Sequence, residues 1–241
     1  MATMILIAGA MHGAWIWDRV TPILESAGHD VIALDLPGMG TNRTVAKADV
    51  SLRLWADYVA DRVLQAGRPV ILAGHSRGGL VIGEAAERVA EHIQGLIYLT
   101  ALIVPPGQTA LSAIKYEEDA NAAPPRSGTT AAMFTSEQAI AMFYNCCSPA
   151  DASWAAAQLE AEPAAPIVTR SEVSWERWGR LPRAFIECAQ DQTLSMERQK
   201  LLQAAAPCDP VIRLDTDHSP FLSAPRELGE AMLNITRSWN A

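Results

Sequence analysis

The chain has 241 residues, 49% of them hydrophobic and 19% charged, which gives enough apolar side chain for a packed core and too few charges for a disordered protein. Lys and Arg total 19 against 27 Asp and Glu, and the formal charge of −8 repels nucleic acid and anionic membrane surfaces. No stretch approaches the roughly 18 apolar residues of a membrane span, so a small uncharged molecule is the expected partner.

Met4 to Ala8 reads as a first strand, because it has no basic leader and is too short for the apolar core of a signal peptide. Trp17, Val20, Leu24 and Ala27 then recur at helical spacing until Gly28. Val31 to Leu34 is a second strand. Ser51 is the expected N-cap of a helix whose face carries Leu52, Trp55, Val59 and Val63, closed by Gly67 and Pro69.

Val70 to Ala73 is a third strand that runs into Gly74-His75-Ser76-Arg77-Gly78-Gly79. Leu80 to Ala90 continues as a helix and Gly95 to Thr100 is a fourth strand. Short apolar runs alternating with helical periodicity demand parallel strands joined by crossover helices.

Between Pro105 and Pro182 the alternation fails in a stretch rich in Ala, Pro and Ser. Helical pieces are expected around Ser136 to Tyr144 and Pro149 to Leu159. This predicts a core domain of residues 1–104 and 183–241 with an inserted cap of residues 105–182. Strands resume at Ala184 to Cys188 and Val211 to Leu214, and a last helix carries Leu228, Met232, Ile235 and Trp239.

Cys146, Cys147, Cys188 and Cys208 show no metal-binding or disulfide spacing, so they read as reduced thiols in a cytoplasmic protein.

Gly74-x-Ser76-x-Gly78 between strand and helix is the context of a nucleophile elbow, where a strained turn lifts a serine hydroxyl above the sheet edge. Flanking glycines remove the Cβ atoms that would collide there. A serine needs a base, and the base needs a partner that fixes its tautomer.

Of the five histidines, only His218 follows a late strand and precedes the final helix. His75 sits inside the elbow, facing away from Ser76, and His29 and His92 fall at helix ends. Asp191 follows the preceding strand in the place expected of the acid. Two backbone donors should hold a developing oxyanion. One is the N–H of Arg77; the other comes from the loop after the first strand, with Ala10 chosen and Met11 its competitor. His12 is a candidate substrate contact, and the Arg77 side chain is read as binding surface carboxylates.

At this point the sequence resembles the plant methylesterase and hydroxynitrile lyase family of α/β-hydrolases and its bacterial esterase relatives. The resemblance rests on the elbow, residues 10–17, Asp35-Leu36-Pro37-Gly38-Met39-Gly40, Phe143-Tyr144-Asn145-Cys146 and the run from Asp217 to Ser223. It implies an α/β-hydrolase fold: a six-stranded, mainly parallel sheet flanked by helices, a mainly helical cap, no metal and no organic cofactor.

Three positions depart from the family. The lyases place a lysine after the catalytic histidine, where this chain has Ser219, and a threonine where it has Gly9; Ala8 replaces the histidine that usually opens the His-Gly pair. Cyanohydrin cleavage is therefore disfavoured.

The leading expectation is hydrolysis of a small, fairly apolar carboxylic ester by Ser76, Asp191 and His218. Lactonase or amidase chemistry on the same residues, C–C lyase chemistry and a non-catalytic small-ligand receptor are the alternatives. Ser76 argues against the carboxylate-nucleophile dehalogenases and epoxide hydrolases. The cap or the final helix would supply the interface of any homodimer.

Overall fold

The computed structural model describes residues 1–114 and 134–239. Six strands, β1 (Thr3–Ile7), β2 (Asp30–Leu34), β3 (Val70–His75), β4 (Ile93–Leu99), β5 (Arg183–Cys188) and β6 (Val211–Leu214), form one sheet in the order β2-β1-β3-β4-β5-β6. Every neighbouring pair is parallel.

The sheet is covered on both faces, which explains why its central strands read as unbroken apolar runs rather than alternating ones. Successive side chains still part to opposite faces. Ile5, Ile7, Leu72 and Tyr98 pack with Trp55, Val59 and Leu80 on one side; Met4, Leu6, Ile71 and Ile97 pack with Leu228, Met232 and Ile235 on the other.

The helices are α1 (Thr21–Ser26), α2 (Leu52–Gln65), α3 (Gly78–Arg88), α4 (Ala110–Ile114), α5 (Ser136–Phe143), α6 (Pro149–Gln158), α7 (Ala165–Val168), α8 (Met196–Ala205), α9 (Pro220–Ser223) and α10 (Pro225–Ser238). α2 begins as its sequence suggests, with the Ser51 hydroxyl accepting the Leu54 N–H at 3.1 Å. It buries Leu52, Trp55, Val59 and Val63.

One helix differs from expectation. The periodic run starting at Trp17 is divided into a 3₁₀ turn, Ala14–Trp17, and the separate helix α1. Pro22 lies in the first turn of α1, where its missing N–H costs nothing, but it could not continue a helix begun five residues earlier at Trp17.

Between β4 and β5 the described residues hold the short helices α4 to α7 and no strand of the sheet. α6 starts at Pro149 with the Ser148 hydroxyl accepting the Asp151 N–H. The middle of the expected cap, residues 115–133, lies outside the described residues.

No helix among the described residues is long and apolar enough to cross a membrane. The sheet positions chemistry through its topology. The chain order turns at β1, with β2 on one side and β3 on the other, so the loops leaving β1 and β3 part above a crevice at the carboxyl ends of those strands.

Candidate active site

Ser76 occupies that crevice at φ +51°, a left-handed conformation that a serine adopts only when its surroundings compel it. The constraint is visible: its N–H donates to the Leu99 carbonyl at 3.1 Å, and its own carbonyl accepts from Gly79 and Leu102. Close approach explains the glycines. A Cβ on Gly74 would lie 2.6 Å from the Gly78 carbonyl group, and one on Gly78 would lie 2.7 Å from the Ile7 oxygen.

His218 is 1% exposed and its Nδ1–H donates to Asp191 Oδ2 at 2.6 Å. That bond leaves Nε2 as the imidazole's other polar atom. Ser76 and His218 line one cavity of about 200 Å³. Among the described residues the Ser76 hydroxyl makes no hydrogen bond to His218; such contacts are commonly long in unliganded sites and tighten with substrate.

Asp191 does more than face the histidine. Its Oδ1 accepts the N–H groups of Thr193 and Leu194 at 2.7 and 2.8 Å, and Oδ2 also accepts the Thr100 hydroxyl at 2.6 Å. Burial pushes this carboxyl up, but His218, Thr100 and the Leu194 N–H together hold it below its ordinary value. The carboxylate is thus both a turn brace and a charged partner. The next helix, α8, is capped by Ser195 instead.

The loop after β1 is equally specified. Met11 stands at φ +65°, and its N–H is taken by Glu162 Oε2 at 2.8 Å. The N–H groups of Ala10 and Arg77 have no acceptor among the described residues. His12 is 2% exposed, lines the cavity, and has both ring nitrogens engaged. Its Nδ1 lies 2.6 Å from the Ala10 carbonyl, which can only accept, so the proton sits on Nδ1 and Nε2 accepts from the Tyr144 hydroxyl at 2.7 Å. Burial above all, with His218 and Arg77 adding to it, lowers the His12 pKa to about 3 despite the Ala10 contact.

His75 points away from the cavity, as expected. Its Nε2–H donates to the His218 carbonyl at 2.9 Å, tying the elbow to the loop that carries the imidazole. Burial chiefly, helped by His218 and His12, keeps it well below an ordinary histidine.

Arg77 corrects the sequence reading of its side chain. It is 2% exposed and its partner is the buried Glu162, with Nε 2.8 Å from Oε1. The guanidinium also lies over the Trp55 ring, 4.3 Å from its centroid. Sequence reasoning missed Glu162 and Thr100. Thr100 had a signal, since a polar residue closing a central apolar strand lies where parallel sheets keep their sites; Glu162, alone between Ala161 and Pro163, had none.

The remaining cavity wall is largely apolar, with Leu102, Phe134, Met142, Phe143, Ile167 and Leu194. Among the described residues no cluster of His, Cys, Asp or Glu is arranged to hold a metal ion.

A wholly parallel sheet in this strand order, with a strained serine leaving its third strand, defines the α/β-hydrolase class of fold. The chain belongs to the alpha/beta hydrolase family, whose model matches residues 4–231.

It is similar to polyneuridine aldehyde esterase of Rauvolfia serpentina, with 29% identity over 97% of this chain and 95% of the relative. A solved structure of a variant of polyneuridine aldehyde esterase superposes with a TM-score of 0.87 at 26% identity, covering 98% of this chain and 99% of that one. Methyl jasmonate esterase 1 of Vitis vinifera is 29% identical over 98% of this chain and 97% of its own length. The structure of a pyrethroid hydrolase from Sphingobium faniae JZ-2 gives a TM-score of 0.82 at 27% identity, covering 98% and 97%. These relatives place the chain among the esterases built on this scaffold.

Proposed function

We propose that Ser76, His218 and Asp191 act as a catalytic triad that hydrolyses a small, fairly apolar carboxylic ester through an acyl-enzyme. The observation that carries this reading is the convergence of a strained serine and an Asp191-braced imidazole on one apolar-walled cavity. Ser76 Oγ attacks the ester carbonyl carbon while His218 Nε2 takes its proton. The carbonyl oxygen becomes an oxyanion held by the N–H groups of Ala10 and Arg77, which are free to donate.

Collapse of the tetrahedral intermediate breaks the ester C–O bond, and His218 returns the proton to the departing alcohol. Water, losing a proton to the same nitrogen, attacks the acyl-enzyme; His218 then passes that proton to Ser76 Oγ as the acyl C–O bond breaks, releasing the acid and restoring the serine. Asp191 holds the imidazole in the tautomer that each step needs and offsets its charge when protonated.

Residues 105–182 serve in this reading as the cap, since Phe134, Met142, Phe143 and Ile167 of that segment form cavity wall. Cys146, Cys147, Cys188 and Cys208 are free thiols, which supports a reducing, cytoplasmic setting. The test is turnover of short-chain p-nitrophenyl esters by wild type and Ser76→Ala, run beside mandelonitrile cleavage. Ester turnover should vanish in Ser76→Ala; turnover that survives refutes the nucleophile. Cyanide release without ester turnover would favour a C–C lyase.

A further inference from the structure

We propose that the buried Arg77–Glu162 ion pair is the positioning device of the oxyanion hole, aiming the Ala10 N–H by holding the peptide units on either side of that residue. The inference rests on the reading of Ala10 and Arg77 as the two oxyanion donors. Both side chains of the pair are 3% exposed, with Arg77 Nε donating to Glu162 Oε1 at 2.8 Å. Arg77 Nη2 donates to the Gly9 carbonyl at 3.0 Å.

The Gly9 carbonyl and the Ala10 N–H belong to one planar peptide unit. In a trans peptide these two groups point in opposite directions, so fixing the carbonyl aims the N–H.

The following peptide unit is held at both ends. Its carbonyl, on Ala10, accepts from His12 Nδ1 at 2.6 Å, and its N–H, on Met11, donates to Glu162 Oε2 at 2.8 Å. Turning the Ala10 N–H away therefore breaks charge-assisted hydrogen bonds, the stronger kind. Arg77 thus supplies one donor from its backbone and orients the other through its side chain.

Glu162 comes from the segment between β4 and β5, and that segment grips the loop a second time, where the Glu160 N–H donates to the Met11 carbonyl at 3.0 Å. The position of the inserted segment is thereby transmitted to the hole. Stability alone gives a poor account of the arrangement. Buried ion pairs often stabilise less than apolar side chains of similar volume, and Arg77 Nη1 is buried with no partner among the described residues.

The experiment compares wild type, Ser76→Ala, and a protein carrying Arg77→Met together with Glu162→Met, reading Tm, kcat and KM on the best p-nitrophenyl ester and inhibition by a trifluoromethyl ketone. Such a ketone adds the serine hydroxyl and leaves a tetrahedral oxyanion. Replacing both charges avoids an unpaired buried ion, so the double variant should fold.

Its kcat should fall about 10- to 100-fold, short of the roughly hundred- to thousandfold of a deleted donor, with KM little changed and ketone affinity reduced in parallel. Wild-type kcat in the folded double variant overturns the proposal, and so does a kcat loss that leaves ketone affinity intact. If the double variant does not fold, Arg77→Lys decides, since a single ammonium keeps the charge beside Glu162 but cannot also span to the Gly9 carbonyl. A tenfold or greater kcat loss at unchanged Tm then supports the positioning role; unchanged kcat overturns it. Ester turnover that persists in Ser76→Ala would instead refute the triad reading, independently of the pair.

Discussion

Acidification should destabilise this protein through His12, in the loop after β1. His12 titrates at about 3 in the folded chain, chiefly because it is buried, against an ordinary value of 6.5. The folded value is the lower one, so between the two the unfolded chain binds the extra proton. Stability from the neutral ring is therefore complete above about pH 6.5 and is lost progressively as pH falls toward 3.

Each unit of difference is worth about 1.4 kcal/mol, so moving from pH 6.5 to 4.5 should remove about 2 kcal/mol through His12 alone. The assay is urea unfolding across that window for wild type and His12→Asn, whose side-chain amide can donate to the Ala10 carbonyl in place of Nδ1–H. Below about pH 5.5 the variant's stability should fall less steeply, by about 1.4 kcal/mol per pH unit. His75 is present in both proteins, and burial, the chief cause of its lowered pKa, is the same in each. Parallel stability curves would refute the reasoning.

Thr100→Val removes a donor from Asp191 Oδ2, and a hydrogen bond to a charged group is worth about 1.5–3 kcal/mol. Because the folded Asp191 pKa is held low, its contribution is present above the unfolded carboxylate value and lost as pH falls through the folded one. The variant should lose that contribution at higher pH, which acid unfolding followed by circular dichroism will read; superimposable acid limbs would count against it. Gly9→Ala places a Cβ 2.6 Å from His75 Nδ1 and 2.9 Å from the Ser76 Cβ. Overpacking of that kind costs about 1–3 kcal/mol, so a lower Tm and reduced kcat are expected, and an unchanged Tm would show that the loop yields freely.

The strands and the elbow were legible because their signals are local. Val70 to Ala73 followed by Gly-x-Ser-x-Gly needs nothing distant to be read as a strand entering a strained turn, and Asp191 and His218 followed from counting later strand ends. Glu162 was not legible because its meaning depends on an arginine 85 residues earlier, across a segment without periodicity. For the same reason Arg77 read as a surface group, since arginine is rarely buried unless paired and the pair could not be seen. The 3₁₀ turn before α1 was missed where apolar spacing was weighed without Pro22.

The positions that separate this chain from hydroxynitrile lyases also have a physical reading in the fold. Any side chain at Gly9 would meet His75 Nδ1 and Ser76, so the threonine of the lyases could enter only if His75 moved, and His75 is held by the His218 carbonyl. Ser219 is fully buried, is absent from the cavity wall, and has a hydroxyl without a partner among the described residues. Its backbone N–H is fixed by Asp217 Oδ1 at 3.0 Å. A lysine there would have to bury an ammonium or displace that turn, and burying an unpaired charge is costly. The two positions therefore belong to the packing that holds His75 and His218 in place, and introducing lyase chemistry would require rebuilding the elbow's surroundings as well as exchanging the two residues.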